Sequence, residues 1–296
     1  MHFPSHKRNV SVIGAGKVGS TIAILLRRNG YKIISVISQR KTSAKKLSKL
    51  VRCTQYSKNL SEIHPSTDIL VLAVPEDNLL TVAREIAKAK QINFKHLYAF
   101  HTSGALSSKV LRPLERKGTV VFSLHPIQTF PKKMNLSDQI QRMKNVCYGF
   151  EGPTKAYRIA SEIVKRIRGH IVRISIERKI LYHIVCVFAS NFSIVLLGVV
   201  NKLLKHIGGG LRIEHLQPLV VSSISNSFRL NPEKALTGPI IRGSFVTVRN
   251  HLKQLTKTNK SLIPLYKQLS LQALSIAEHG KYLKSNQRKK INQLLN

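Results

Sequence analysis

Residues 9–19 read NVSVIGAGKVG, a short β-branched run that meets a Gly-x-Gly-x-x-Gly turn. A helical pattern follows at once, because Val18, Ile22, Leu25 and Leu26 recur at helical spacing and share one face. This order of strand, glycine turn and helix is typical of a dinucleotide-binding fold. The sequence therefore predicts an α/β protein that holds a dinucleotide at its first turn, and a plain strand–turn–helix is the alternative.

The glycines of this turn have different predicted tasks. Gly14 allows the tight turn, Gly16 lets the backbone approach a pyrophosphate, and Gly19 lets the helix pack closely on the strand. The amides that open the helix, near Lys17 and Val18, then face the phosphates with the helix dipole behind them. We expect all five residues to contribute to cofactor binding.

The loop after the second predicted strand indicates which dinucleotide is bound. NAD-binding folds usually place an acidic residue about 20 residues after the glycines, where it binds the ribose 2′-hydroxyl. No acidic residue occurs before Glu62 in this chain. Ser38 and Arg40 follow the second strand instead, and a serine hydroxyl with a guanidinium suits a 2′-phosphate. We therefore predict NADP rather than NAD.

The first half of the chain alternates strand-like and helix-like segments, which predicts a doubly wound, mostly parallel sheet. Strand signals stop near residue 175, so we predict a nucleotide-binding domain at 1–175 and an all-α domain at 176–296. The polar tail from Ser285 is expected to fray. Further predicted strands are 31–37, 68–74, 97–100, 120–124, 146–150 and 171–174, and predicted helices are 42–51, 76–88, 154–168, 177–207, 213–228, 240–255 and 258–284.

The composition limits the class of protein. With 43% hydrophobic residues over 296 positions, the chain can form two globular domains. Its cysteines, Cys53, Cys147 and Cys186, show no paired spacing, which predicts buried thiols in a reducing compartment and no metal site. The first residues, MHFPSHKRN, lack an apolar core. We therefore expect no signal peptide and a cytoplasmic protein.

The formal charge of +36 arises from 49 basic and 13 acidic residues. Such a charge can indicate binding to nucleic acid or to an anionic membrane. Here the basic residues recur in every segment, no nucleic-acid motif accompanies them, and Trp is absent. We predict no specific nucleic-acid partner, and only weak, salt-sensitive binding to polyanions.

The segment 180–200 is apolar enough to imitate a membrane span. It contains polar groups that lipid would leave without partners, so we predict a helix buried between domains or subunits and no membrane contact. His183, Ser190 and Asn191 share one face of this helix with Val187 and Ile194. That face is predicted to line the cleft between domains, and a satisfied pair of core polar residues is the alternative.

Ligands of open α/β sheets bind beyond the carboxyl ends of the strands. Val74 and Pro75 follow one predicted strand, where we expect them to contact the ribose on the nicotinamide side. His101 and His125 end two further strands, and Ser103 lies two residues beyond His101. An imidazole at such a point can bind a substrate carbonyl or transfer a proton near neutral pH, or it can merely cap a loop.

Several motifs resemble those of Rossmann-like proteins that carry the "domain of unknown function 2520" at the C-terminus. With the glycine turn they span nearly the whole chain in the family's order. The family is similar in architecture to pyrroline-5-carboxylate reductase, the deazaflavin-dependent NADP reductases and the β-hydroxyacid dehydrogenases. The motifs are HTSGAL at 101–106, HPIQTF at 125–130, YH at 182–183, FASNF at 188–192 and ALTGPIIRGS at 235–244, which leads into Val248 and His251-Leu252.

The resemblance implies an NADP-binding Rossmann domain, an all-helical C-terminal domain that forms a homodimer, and an active site between them. It implies no particular substrate. Two features depart from these families. The usual Arg-Gly-Asp is Arg242-Gly243-Ser244 here, and the catalytic lysine of β-hydroxyacid dehydrogenases is replaced by Tyr182-His183, with Lys179 one turn earlier.

Together these observations predict an NADP(H)-dependent oxidoreductase acting on a small carbonyl, imine or hydroxy substrate in the interdomain cleft. A dimeric protein that senses NADP(H) without turnover is the alternative, and a polyanion-binding protein on a relic enzyme fold is a third possibility. The predicted catalytic residues are His183 as proton donor, Asn191 as the residue that orients the substrate, His101 and His125; the predicted substrate-binding residues are Arg242, for an anionic group, and Ser190.

Overall fold

The computed structural model describes residues 8–280 and 282–296. The chain forms two compact units, Met1–Phe192 and Ser193–Asn296. The first unit contains all the described strands and the first part of the long apolar helix. The predicted domain boundary near residue 175 stays a prediction.

An eight-stranded sheet with the order β3-β2-β1-β4-β5-β6-β7-β8 forms the first unit. Neighbouring strands are parallel, except that β6 and β7 are antiparallel, so the predicted doubly wound, mostly parallel sheet is confirmed. The chain crosses from β3 over β1 to β4, which opens a crevice at the carboxyl ends of β1, β2 and β4. The strands are β1 Asn9–Ile13, β2 Lys32–Ile37, β3 Gln55–Ser57, β4 Ile69–Leu72, β5 Tyr98–His101, β6 Val120–Pro126, β7 Cys147–Glu151 and β8 His170–Arg173.

Helices connect these strands and make up the second unit. A π-helical segment, Val187–Phe192, separates α7 from α8. The helices are α1 Lys17–Arg28, α2 Lys41–Leu50, α3 Glu76–Ile86, α4 Arg112–Glu115, α5 Leu136–Gln141, α6 Thr154–Arg166, α7 Lys179–Cys186, α8 Ser193–Leu204, α9 Gln217–Leu230, α10 Pro232–Ala235, α11 Phe245–Thr258, α12 Ile263–His279 and α13 Ser285–Leu295.

Strand β4 shows why the sheet is covered on both faces. Ile69 and Val71 belong to the apolar cluster that α1, α2 and α6 complete, whereas Leu70 and Leu72 belong to the cluster completed by α3 and α4. Successive side chains of a strand point to opposite faces, so a continuous apolar run is buried on both sides only in such a three-layer arrangement. The two layers of helices fix the carboxyl edge of the sheet, where the candidate site lies.

Strand β3 and helix α13 are among the elements that differ from the sequence-based expectations. The strand β3 was not predicted, because its three residues, Gln55–Ser57, form a short polar edge strand without apolar alternation. The expectation that the tail frays from Ser285 was wrong. Helix α13 buries Ile291 and Leu295 in the core of the second unit, beside Val248 and Leu274.

The helical stretch Ile176–Leu204 is long and apolar enough to cross a membrane by length and composition. Its most apolar 18 residues have a mean hydropathy of 2.2, and none of them is buried. Leu181, Phe188 and Ile194 are 60%, 64% and 68% exposed in the described part of the chain, whereas the sequence predicted a buried helix. A homodimer through the C-terminal helices, the absence of membrane contact and a cytoplasmic location all stay predictions.

Candidate functional site

The glycine turn between β1 and α1 is shaped by two close backbone approaches. Gly14 has a φ of +99°, and a Cβ there would lie 2.3 Å from the carbonyl oxygen of Ala73. A Cβ on Gly19 would lie 1.9 Å from the carbonyl oxygen of Gly14. Neither position has space for a side chain, so both glycines are required by packing.

Gly16 differs from its neighbours, because a Cβ there would meet no atom of the described residues within 4 Å. It precedes α1, whose first turn has no acidic residue and no side chain that caps the amides. The amides at the start of the helix therefore face open space with the positive end of the helix dipole behind them. This is the environment that a pyrophosphate needs, and the turn fits a dinucleotide.

A cleft of about 950 Å³ extends from this turn along the carboxyl edge of the sheet. Among the residues that line it, Arg40, Lys58 and Lys88 are basic and Glu85 alone is acidic. Arg40 lies beyond β2 and Lys58 beyond β3, while Lys88 and Glu85 belong to the region of α3. The end of the cleft beyond β2 and β3 is therefore cationic, with no carboxylate among its lining residues.

Six of the ten predicted cofactor residues line this cleft and four do not. Lys17 directs its ammonium to the carbonyl oxygen of Met134, and Val18 packs against the core. Gly19 lies behind the turn, and Ser103 lies beside α3. The sequence analysis missed Ser43 on α2, and it missed Lys58 and Asn59 because the preceding strand β3 was not predicted. The six that line the cleft are Gly14, Gly16, Ser38, Arg40, Val74 and Pro75.

A second polar cluster lies where β6 ends against α7. The Nδ1 atom of His125 is 2.6 Å from the hydroxyl of Tyr182, and the two rings meet edge to face at 5.7 Å. Tyr182 covers Gly149 so closely that a Cβ on this glycine would lie 2.4 Å from the hydroxyl oxygen. The absence of a side chain on β7 at this point lets the tyrosine reach the histidine.

Gly104 lies beside both His125 and His183 of helix α7. A Cβ on Gly104 would lie 2.7 Å from Cδ2 of His183 and 3.0 Å from Cε1 of His125. The two imidazoles therefore flank one glycine. The structure brings together two of the three histidines that the sequence placed in the site, although they are far apart along the chain.

Lys179 lies one turn before His183 on α7 and is only 1% exposed. Its Nζ atom donates a hydrogen bond to Oγ of Ser123, at 2.7 Å. Burial lowers the pKa of Lys179 to about 8, although the nearby carboxylates of Glu151 and Glu76 oppose this effect. A buried ammonium beneath the two imidazoles was not predicted, since the sequence indicated Lys179 only as a departure from a family pattern.

His101 ends β5, as the sequence predicted, but its ring does not face a ligand site. The ring is fully buried, Nδ1 accepts from the amide of Ser103, and Nε2 lies 3.2 Å from the carbonyl oxygen of Ser107. Both ring nitrogens are therefore used within the loop that follows β5. The predicted catalytic role for His101 is not supported, because its bonds hold the loop and leave no nitrogen for a ligand.

Ser103 links the edge of the cleft to the polar cluster around His125. Its hydroxyl donates to the carboxylate of Glu76, the residue after Pro75, and accepts from the amide of Leu106. Its carbonyl oxygen accepts a hydrogen bond from Ser123, which in turn receives the ammonium of Lys179. Hydrogen bonds thus run from the edge of the cleft to the ammonium beneath the histidines.

Asn191 and Ser190 lie in the π-helical segment Val187–Phe192, where the α-helical spacing assumed from the sequence does not hold. A π-helix bonds residue i to i+5, so its turn holds almost one residue more than an α-turn. Ser190 is partly buried, as His183 is, whereas Asn191 is exposed.

Comparisons with known proteins match both halves of the chain. Residues 3–126 match the Rossmann-like domain, and residues 146–273 match the domain of unknown function DUF2520. The chain carries a Rossmann-like domain followed by a DUF2520 domain. The family predicted from the sequence motifs is confirmed.

Solved structures share this fold over almost the whole chain. BF3122 from Bacteroides fragilis is 24% identical, with a TM-score of 0.73 over 93% of this chain and 99% of that one. TM1727 from Thermotoga maritima is 25% identical, with a TM-score of 0.71 over 92% and 99%. A pyrroline-5-carboxylate reductase from Coxiella burnetii is 15% identical, with a TM-score of 0.56 over 95% and 100%.

A curated relative covers a shorter region. A glycerol-3-phosphate dehydrogenase [NAD(P)+] from Syntrophotalea carbinolica is 26% identical over 166 residues, which is 52% of this chain. The chain matches only 44% of the length of that relative. The similarity therefore covers only part of each protein.

The DUF2520 domain contains the motif that departs from the family pattern. Ser244 precedes α11, and its hydroxyl is 2.7 Å from the hydroxyl of Thr247. Arg242 is exposed within the second unit. Its predicted contact with a substrate anion stays a prediction.

The buried His101 makes the Rossmann-like domain sensitive to acid. Burial lowers the pKa of His101 to about 3, so the unfolded chain takes up a proton below pH 6.5 and the folded chain does not. Stability is complete above pH 6.5 and is lost as the pH falls toward 3. From pH 6.5 to 5 the loss due to His101 should be about 2 kcal/mol. Urea denaturation at pH 7 and 5 should show a smaller loss for His101→Gln, and an equal loss would contradict the expectation.

Proposed function

We propose that the chain is an NADP(H)-dependent oxidoreductase that acts on a small carbonyl, imine or hydroxy substrate. The observation that carries this proposal is the pairing of two features in one compact unit: an open glycine turn on a cationic cleft, and a histidine pair that flanks Gly104. The names of the relatives, a pyrroline-5-carboxylate reductase and a glycerol-3-phosphate dehydrogenase [NAD(P)+], support the same class of reaction.

The cleft offers distinct groups to the parts of a dinucleotide. The amides after Gly16 would bind the pyrophosphate, and Val74 and Pro75 would lie along the ribose on the nicotinamide side. When bound, the nicotinamide donates or accepts the hydride of the reaction. The side chains of this protein would orient the substrate and transfer the proton.

His183 is the proposed proton donor. It is partly exposed and lies on the helix face that carries Lys179 one turn earlier. A partly exposed imidazole can take up a proton from water and deliver it to a substrate heteroatom, and Asn191 would orient the substrate beside it. The buried Lys179 has no access to a substrate and would act through its charge on the groups above it.

NADP rather than NAD is proposed because Ser38, Arg40, Ser43 and Lys58 surround the cationic end of the cleft. Replacing Arg40 by alanine should weaken NADPH binding about 10- to 100-fold, the usual effect of losing a hydrogen bond to a charged group. NADH binding should change little, because NADH has no 2′-phosphate. Lys88→Ala is the matched control, since it removes a cation from another part of the same cleft.

Quenching of NADPH fluorescence measures these affinities, and calorimetry measures them for NADH. Equal weakening for both dinucleotides in Arg40→Ala would contradict the assignment of Arg40 to the 2′-phosphate. Oxidation of NADPH against carbonyl and imine substrates then tests the reaction itself. Tight binding of NADPH with no turnover on any substrate would favour the dimeric NADP(H) sensor over the enzyme.

A further inference from the structure

The ring of His125 has one nitrogen that is occupied and one that is available. Nδ1 is bonded to the hydroxyl of Tyr182 at 2.6 Å. The structure gives Nε2 no hydrogen-bond partner among residues 8–280 and 282–296, and the side chain is partly exposed. This edge of the ring lies against Gly104, whose missing side chain leaves it uncovered on the side of His183.

The bond to Tyr182 determines which nitrogen carries the proton. A tyrosine hydroxyl has one proton to donate, and burial raises the pKa of Tyr182, so it keeps that proton. The thiol of Cys186 also contacts the hydroxyl, but a thiol sulfur is a weaker acceptor than an imidazole nitrogen. Tyr182 therefore donates to Nδ1, and a neutral ring must hold its own proton on Nε2.

The ring is neutral because of its surroundings. His125 is partly buried and faces Lys179, Tyr182 and His183 on α7, and these groups include no carboxylate. Burial and the ammonium of Lys179 lower the pKa of His125 to about 4. At neutral pH the ring is therefore a fixed donor at Nε2 with no positive charge.

We infer that Tyr182 is a positioning residue that holds the proton of His125 on Nε2, and that this N–H binds the carbonyl oxygen of the substrate. The second part of the inference rests on the proposed function. A neutral N–H donor polarises a carbonyl without giving up its proton, which leaves proton transfer to His183.

A hydrogen-bond donor at Nε2 of His125 favours some of the proposed substrates over others. A carbonyl oxygen has lone pairs that accept from Nε2–H. An imine is reduced as its protonated form, whose nitrogen carries a hydrogen and has no lone pair, so it would face His125 donor to donor. The geometry therefore favours aldehydes, ketones or their alcohols over imines.

Nitrogen NMR of ¹⁵N-histidine-labelled protein tests the tautomer without any cofactor. His125→Gln identifies the signals of His125 by their loss. In the wild-type chain we expect a protonated Nε2 and an unprotonated Nδ1, whereas protonation at Nδ1 would overturn the inference. In Tyr182→Phe the two signals should move toward each other, because nothing then fixes the proton. Unchanged signals would overturn the role of Tyr182.

The chain supplies a matched control in its second unit. His251 Nδ1 is 2.8 Å from the hydroxyl of Tyr266, and the rings meet edge to face at 5.8 Å. Tyr266→Phe should alter the signals of His251 and leave those of His125 unchanged. If Tyr182→Phe does not fold, as judged by thermal unfolding, the wild-type tautomer alone still decides the inference.

Turnover tests the second part. A ketone and the cyclic imine of matching carbon skeleton should be compared with NADPH as reductant, and we expect the ketone to be reduced. Tyr182→Phe should lower kcat about tenfold with NADPH affinity unchanged. Reduction of imines alone would overturn the choice of carbonyl substrates. Absence of NADPH binding would instead refute the proposed function and leave the tautomer result standing.

Discussion

Replacing Gly19 by alanine should destabilise the Rossmann-like domain by about 3 to 5 kcal/mol, at the upper end of single substitutions. The added Cβ would lie 1.9 Å from the carbonyl oxygen of Gly14 and 3.0 Å from the Cβ of Ala73. Both contacts involve the tightly packed junction of β1, β4 and α1, where neither neighbour has free space. Denaturation in urea, monitored by circular dichroism, measures the loss.

Gly16→Ala is the matched control, because it adds the same methyl group three residues earlier. No atom of the described residues lies within 4 Å of the new Cβ, so stability should change by no more than about 0.5 kcal/mol. The methyl group enters the space intended for the pyrophosphate, and NADPH affinity should fall about tenfold or more. Equal losses of stability in both variants, or unchanged NADPH affinity in Gly16→Ala, would contradict the roles given to the turn.

Replacing His183 by alanine should lower kcat by about 100- to 10,000-fold, the range over which a positioned proton donor contributes. NADPH affinity should stay within about twofold, because the residue lies on α7 and does not line the cleft. Steady-state turnover and NADPH fluorescence separate the two quantities. His206→Ala, which removes an exposed histidine of the second unit, should change neither.

Two outcomes would remove His183 from its proposed role. A parallel fall of turnover and NADPH affinity would indicate damage to the whole site rather than loss of a proton donor. Unchanged turnover would assign the proton transfer to a group other than His183.

The strands and the glycine turn could be predicted from sequence because their signals are local. A β-branched run that meets Gly14, Gly16 and Gly19 specifies strand, turn and helix within eleven residues. Each predicted strand has a counterpart in the sheet. By contrast, β3 has three polar residues and is held by its pairing with β2, so its position depends on a neighbour and not on its own pattern. Lys58 and Asn59 were missed with it.

The candidate site was predicted in part. The ends of strands and the helical face brought His125, His183 and Asn191 into consideration, but spacing does not reveal which way a ring faces. His101 was expected to line the pocket and instead bonds within its own loop. The sequence indicated Lys179 only by its place one turn before Tyr182-His183, and its burial and its bond to Ser123 depend on residues far away in the chain. The π-helical segment also has no signal in an α-helical pattern.

The buried ammonium of Lys179 has a consequence for anyone who tries to make this protein more heat-resistant. A pKa of about 8 instead of 10.5 corresponds to about 3 kcal/mol that the folded chain gives up near neutral pH. Selection for more heat-stable variants would therefore favour an apolar residue at this position. Such a variant would withstand higher temperatures, but it would lose the ammonium that, together with burial, keeps the pKa of His125 low, so selection for stability alone would alter the proposed site.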